Sequence, residues 1–301
     1  MSLQTDLPRL NKDISTDANL PLIGVGLRHQ HYNDALSSPA DIDFVEIHAE
    51  NFFAEGGIGK SLLSDIKQQY DVSLHATSLG LGSAQIIPSA HLAKLSQLVD
   101  EVNPLLVSDH ACFSWGQLND IQVHAGDLLP VPFNEESLSI MSKNIDTLQR
   151  TLKRNILVEN LSAYITPAGS TMPETEFLTR LCQNTGCQLL LDLNNLMVNA
   201  VNQQEESPLS QATTWLNTIP ANIVGEIHLA GCTPVERGEL VIDDHSQPVS
   251  DEVWALYQSA LTRFGSTPTL IEWDLDLPSW ATLIAEAAKA KAIAAKVLKC
   301  R

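Results

Sequence analysis

The chain has 301 residues and a mass of 32.9 kDa, with 18 Lys and Arg against 36 Asp and Glu, so its net charge is −18 and its isoelectric point lies near 4.7. An apolar fraction of 44% and a mean hydropathy of −0.01 describe a globular chain with ample core material and exclude a disordered one. Phosphate backbones need clustered Lys and Arg, which carboxylates here outnumber two to one, and this excludes nucleic acid as a partner.

Residues 1–20 read as a loose leader, and 21–301 as one domain. A short β-branched or Leu-rich run recurs, each time ending in polar residues and usually followed by a stretch of helical periodicity. PLIGVGL (21–27) and DFVEIH (43–48) are the first two strands, and a helix is predicted over 58–70. VSLHA (72–76) precedes a helix at 89–101, and LLVSD (105–109) precedes one at 135–153, which Asn134 can cap. NILVEN (155–160) leads to a helix at 174–185, and QLLLDL (188–193) to one at 208–218. IVGEIHLAG (223–231) is followed by a helix at 250–264 capped by Ser250, and TLIEWD (269–274) by a last helix at 279–299. The segments 110–134, 194–207 and 230–249 read as long loops.

Runs that are apolar without alternation suit strands buried on both faces of a parallel sheet. Eight of them alternating with helices predict an α/β chain of the (β/α)8 TIM-barrel type. An open doubly wound sheet would carry a Gly-rich phosphate turn after its first strand, where this chain has GVGLRHQH instead.

In such a barrel the chemistry sits where the strands stop. Strand two ends in Glu46, His48, Glu50 and Asn51, the third in His75, and the fourth in Asp109 and His110. Glu159 and Asn160 end the fifth, and Asp192, Asn194 and Asn195 the sixth. His228 ends the seventh, Glu272 and Asp274 the eighth, and the preceding loop adds Asp243, Asp244 and His245. A lone strand-end histidine is ordinarily a packing residue. Four of nine histidines at strand ends, beside this many carboxylates, predict a metal centre, because crowded carboxylates raise one another's pKa unless cations neutralise them. Imidazole with carboxylate is the ligand mix of Zn, Fe and Mn, and more than six candidates predict two or three ions, with a carboxylate such as Glu159 bridging. No G-x-S-x-G elbow is present, and Ser108, beside Asp109, is expected to point away.

The five cysteines (Cys112, Cys182, Cys187, Cys232, Cys300) are odd in number and irregularly spaced, which fits reduced thiols in a cytoplasmic protein. No apolar run reaches the roughly 18 residues that span a bilayer, and Asp6 and Asp13 interrupt any signal-peptide pattern, so no membrane association is expected.

EIHAENFF, LHATSLGLGS, LVSDHACFSW, ILVENLSAYI, LLLDLNNLMVNA, GEIHLAG, DDHSQPV and LIEWD, in that order over about residues 20–280, resemble the multinuclear non-haem iron-dependent oxidative enzymes. This family includes the methanobactin-type peptide-modifying enzymes. The resemblance implies a barrel similar to xylose isomerase and endonuclease IV, two or three iron ions in the Fe2+ and Fe3+ states, and dioxygen as co-substrate. It implies one iron near His48, His75, Asp109 and Glu159, and a second near Glu159, Asp192, His228 and Glu272. Asn195, Asp243 and His245 would hold a third. Glu159, His48 and Asp109 would be the catalytic residues, with the choices of Asp109 or His110 and Asp243 or Asp244 open. The implied activity is oxidative modification of cysteine in a ribosomally synthesised precursor peptide, brought by a separate leader-presenting partner protein. The alternatives are a zinc- or manganese-dependent hydrolase or isomerase on the same barrel, and a non-enzymatic metal-dependent binding module. An isomerase should bring a Lys to the mouth, and none of the strand ends carries one.

Overall fold

The computed structural model describes residues 20–204, 206–236 and 238–299; the expected leader at 1–20 lies almost wholly outside them, as does Cys300. In chain order the elements are β1 (Ile23–Gly26), α1 (Tyr32–Ser37), β2 (Phe44–His48), α2 (Ile58–Gln69), β3 (Asp71–His75), α3 (Ser89–Val102), β4 (Val107–His110), β5 (Cys112–Leu118), β6 (Ile121–Pro130) and α4 (Glu135–Leu152). They continue with β7 (Leu157–Glu159), α5 (Glu174–Thr185), β8 (Gln188–Asp192), α6 (Leu193–Asn202), α7 (Pro208–Thr218), β9 (Val224–Leu229), α8 (Asp251–Phe264), β10 (Thr269–Ile271) and α9 (Trp280–Leu298). β1, β2, β3, β4, β7, β8, β9 and β10 form a closed parallel barrel, sealed where Ile23 pairs with Thr269. All eight expected strands are present, and helices cover them, so that residues such as Ile47, Leu74, Val158 and Leu191 are fully buried between strand and helix.

The seven expected helices are found within about a residue of their predicted ends, and Asn134 and Ser250 cap α4 and α8. Two of the expected loops hold regular structure instead. Residues 112–130 form the antiparallel hairpin β5–β6, turned by Asn119 and Asp120 at φ 48° and 62°. Residues 193–202 form α6, whose first turn is capped by Asp192.

Strand register places the polar ends side by side. His48 pairs with His75, His110 with Glu159, and Asp192 with His228, so these six lie in one ring at the mouth. Two residues back along β2 and β9, Glu46 and Glu226 point the same way as His48 and His228, one layer deeper.

Candidate metal centre

Each mouth side chain is aimed by the pleat of its strand. In β4, Ser108 and His110 face inward while Asp109 between them faces the helices. Ser108 is therefore inside, contrary to expectation, with Oγ 2.7 Å from Nδ1 of His75. That contact turns Nε2 of His75 toward the centre, 3.3 Å from Nε2 of His110 and 3.5 Å from Oε2 of Glu159. Asp109 stands apart from this group. Its Oδ1 accepts from His110 N at 2.5 Å and its Oδ2 from Leu79 N at 3.0 Å, so both oxygens serve the backbone, and His110 takes the inward position.

Among the described residues, four groups of ligand-type atoms lie within 4.8 Å of one another: His75, His110 and Glu159; Glu159, Asp192, His228 and Glu272; Glu46, Glu226 and His228; and His48, Glu272 and Asp274. The second is the quartet the sequence motifs single out, and Glu159 joins it to the first. His48 sits further out, 24% exposed, with Nε2 3.9 Å from Asp274. The loop after β9 brings in His245, whose Nε2 lies 2.8 Å from Asp243 and 3.9 Å from Asp192. His245 adopts φ 44°, a left-handed conformation uncommon outside glycine, and its carbonyl is anchored by Asp274 N. Gly231 lets the same loop fold on itself, since a Cβ there would lie 2.1 Å from Pro248 O. Asp243 faces the centre, accepting from Ser162 Oγ and Asn194 Nδ2, whereas Asp244 turns back to hold Thr233.

Asn195 is fixed at the start of α6 by two contacts: its N donates to Asp192 Oδ1, and its Nδ2 donates to Asn160 O. Its Oδ1 is left buried without a partner. So are Glu159 Oε2, Asp192 Oδ2, His228 Nε2 and both oxygens of Glu46 and of Glu226. An unpartnered buried polar atom costs about 1–3 kcal/mol, more when charged, and folded proteins rarely leave several together. All of them are buried in or just beneath the mouth, with Glu46 and Glu226 together one layer deeper. Cations are the physical remedy for such a set, and the donors are those of first-row divalent metals.

Without cations the charges distort one another. Burial pushes Glu159 well above the usual carboxylate range, against the pull of His110 and His228. Asp192 is raised to about 7 by burial and by Asp243, although His245 opposes it. Burial lowers His48 to about 4, with Arg28 adding to the effect, so its imidazole is neutral and able to ligate. Burial disfavours the His110 cation, but Glu159 and Asp109 outweigh it and bring the group up to about 9.

Motif reading passed over two contributors. Arg28, 7% exposed at the end of β1, donates to Asp274 at 2.6 Å and to Glu272 at 3.3 Å. Glu226 faces Nε2 of His228 at 3.8 Å, with Glu46 at 3.6 Å. E-I-H occurs in both β2 and β9, and that repeat was the available signal for Glu226. Over the ring opens a cavity of about 290 Å³, bounded by Leu128, Tyr164 and Leu275 as well as by the ligand-type residues.

A closed parallel barrel with clustered ligand-type side chains at its C-terminal mouth defines a TIM-barrel protein, similar in fold to xylose isomerase-like proteins and endonuclease IV. Endonuclease IV from Thermus thermophilus matches with a TM-score of 0.56 over 93% of this chain and 100% of its own, at 14% identity. A xylose isomerase domain containing protein from Salmonella typhimurium matches with a TM-score of 0.58 over 92% of this chain and 96% of its own, also at 14% identity. These likenesses concern the fold. Residues 22–295 match the model of the RiPP precursor modification enzymes MbnB/TglH/ChrH, where RiPP denotes a ribosomally synthesised and post-translationally modified peptide, and the chain belongs to that family. Among its relatives are UPF0276 proteins of Vibrio parahaemolyticus, 42% identical over 92% of this chain and 94% of the relative, and of Chromobacterium violaceum, 44% identical over 90% and 94%.

Proposed function

We propose that this protein is a cytoplasmic, multinuclear iron enzyme that uses dioxygen to modify cysteine in a ribosomally synthesised precursor peptide held by a separate leader-presenting partner. The observation that carries the metal centre is the set of buried, unpartnered ligand atoms beneath the cavity. The peptide substrate rests on the family to which the chain belongs. His75, His110 and Glu159 would hold one ion and Glu159, Asp192, His228 and Glu272 a second, with Glu159 between them; Asn195, Asp243 and His245 would hold a third. Iron held there would supply one-electron redox chemistry toward dioxygen, which redox-inert zinc would not.

The chain's own groups do the positioning. Ser108 fixes the ring of His75, and Arg28 clamps Glu272 and Asp274 while offsetting their charge. Asp109 acts one step back, tying the His110 and Leu79 backbones so that His110 stays inward. His48, neutral and partly exposed at the rim, is the mouth histidine an incoming thiol meets first.

The test is anaerobic. Iron-loaded protein, a cysteine-containing precursor and its presenting partner should show a mass change at cysteine only after oxygen is admitted. Should zinc-loaded protein perform the same conversion, or oxygen go unconsumed, the oxidative reading falls and a hydrolase or isomerase takes its place.

A further inference from the structure

Exposed apolar side chains are distributed very unevenly over this barrel. Among the described residues, every large apolar side chain that stands open to solvent, apart from Val201 in the last turn of α6, lies in a segment running from the end of a barrel strand to the next helix, or on the first residue of that helix. None lies on the turns at the opposite end. The β5–β6 hairpin holds the densest group. Its register pairs Leu118 with Ile121 and Gly116 with Val123 on one face. Leu118 is 62% and Ile121 66% exposed, and a Cβ at Gly116 would meet nothing within 4 Å. The opposite face is the one held to the barrel, through Trp115 Nε1 to Ser78 O and Gln122 Nε2 to Ile86 O. The hairpin therefore shows its apolar side outward although its other side was free to take that role. The next turn of the same strand, Asp127 and Leu128, lines the mouth cavity, so the apolar face leads into it.

Charge is distributed just as unevenly. The strand-to-helix segments carry two Lys or Arg residues in the sequence, Arg28 and Arg237, and Arg28 is consumed by Glu272 and Asp274. The same segments carry Asp120, Asp127, Asp243, Asp244, Asp274 and Asp276, with further glutamates. An apolar surface rimmed by one sign of charge marks a binding face and selects partners of the opposite sign.

We propose that the mouth-side face is a docking surface for an extended polypeptide segment in which apolar and basic residues alternate, laid on the Leu118–Ile121–Val123 face of the hairpin and leading past Asp127 and Leu128 into the cavity. The inference deepens the proposed function, since the segment would belong to the peptide that enters the site, but the binding it describes needs neither metal turnover nor oxygen. Period-two alternation suits an extended chain, which can set one row of side chains on the hairpin and the other toward the acidic rim.

The experiment measures binding by fluorescence anisotropy under argon, using a short fluorescein-labelled peptide of alternating valine and lysine, and a valine–glutamate peptide as control. The parent protein should bind the first and not the second, and salt should weaken the binding. Leu118→Ser combined with Ile121→Ser changes only exposed positions, so it should leave the circular dichroism and metal content unchanged while weakening binding by roughly tenfold or more. Equal binding of both peptides, or unchanged binding by the double variant, overturns the proposal. So does a parent protein that is dimeric where the double variant is monomeric, because the face would then belong to a second copy of the chain. Failure of the oxygen-dependent conversion with this binding intact would count against the chemistry alone.

Discussion

In the helical coat, Asn134, Ser250 and Ser279 each accept a hydrogen bond from the backbone N–H three residues on, at 3.0 to 3.2 Å. Arg154 donates to the carbonyls of Pro104 and Leu105, and the left-handed residues Asn103, Lys153 and Gly186 close α3, α4 and α5. At the mouth, carboxylates and imidazoles of equal or deeper burial are left facing one another with atoms unpaired. The coat satisfies most of its polar groups by itself and leaves only scattered atoms such as Ser142 Oγ, Arg154 Nε and Trp254 Nε1 without a partner. The mouth keeps its groups unsatisfied by the protein, and the difference separates residues kept for stability from residues kept for chemistry.

Exchanging effects between the two regions would break that division, and the largest expected effect is at the mouth. Glu159→Gln should remove more than one metal ion per chain and lower activity by more than about a hundredfold, because one carboxylate stands between two groups of ligands. The metal-free variant should melt no lower than the metal-free parent, since it no longer buries a carboxylate that burial holds far above its normal range. Full metal stoichiometry in the variant would dispose of the bridging role.

Leu148→Ala, fully buried in α4, should do the reverse. It should cost about 2–5 kcal/mol in denaturant unfolding and leave the metal content of the folded fraction unchanged.

The smallest effect expected is a pH dependence within the coat. Glu174, half-buried at the start of α5 and bonded to Trp215 Nε1 at 2.8 Å, is raised by burial to about 7. The native state therefore holds a proton that the unfolded chain, with a pKa near 4.5, has lost. Its contribution is fully present below pH 4.5, falls as pH rises toward 7, and is absent above that. Glu174→Gln should flatten this slope and gain about 1–3 kcal/mol at pH 8, discounted for partial exposure. A slope unchanged by the substitution would place the titration elsewhere.

The barrel was legible because eight uninterrupted apolar runs can be buried on both sides in only a few ways, and because caps such as Asn134 mark where helices begin. The hairpin carried its own signal, a two-residue Asn119–Asp120 turn between partly apolar strands, but its outward apolar face breaks the usual inward pattern. α6 was hidden by its four asparagines, poor helix formers whose side chains here bond to Asn160, Leu161, Val241 and Asp243. Within the site, residue types at the strand ends were readable, but side-chain direction was not. Whether Asp109 or His110 faces inward depends on the pleat relative to the neighbouring strands, and a shift by one residue exchanges them. Arg28 went unnoticed because a cation beside a predicted metal site matches no ligand pattern.

Seven of the eight barrel strands lend one or two side chains to the ring, from His48 on β2 to Glu272 just after β10. The quartet of Glu159, Asp192, His228 and Glu272 comes from four successive barrel strands separated by helices, so a metal ion has little to grip until those strands have paired. Unlike a zinc finger, whose ion assembles a local loop, the full centre is complete only when β10, the last strand, takes its place between β9 and β1. Metal uptake is thereby made the last event of maturation, and a newly made chain starved of metal should accumulate as a closed, acidic, fully folded apoprotein and not as fragments awaiting their ion.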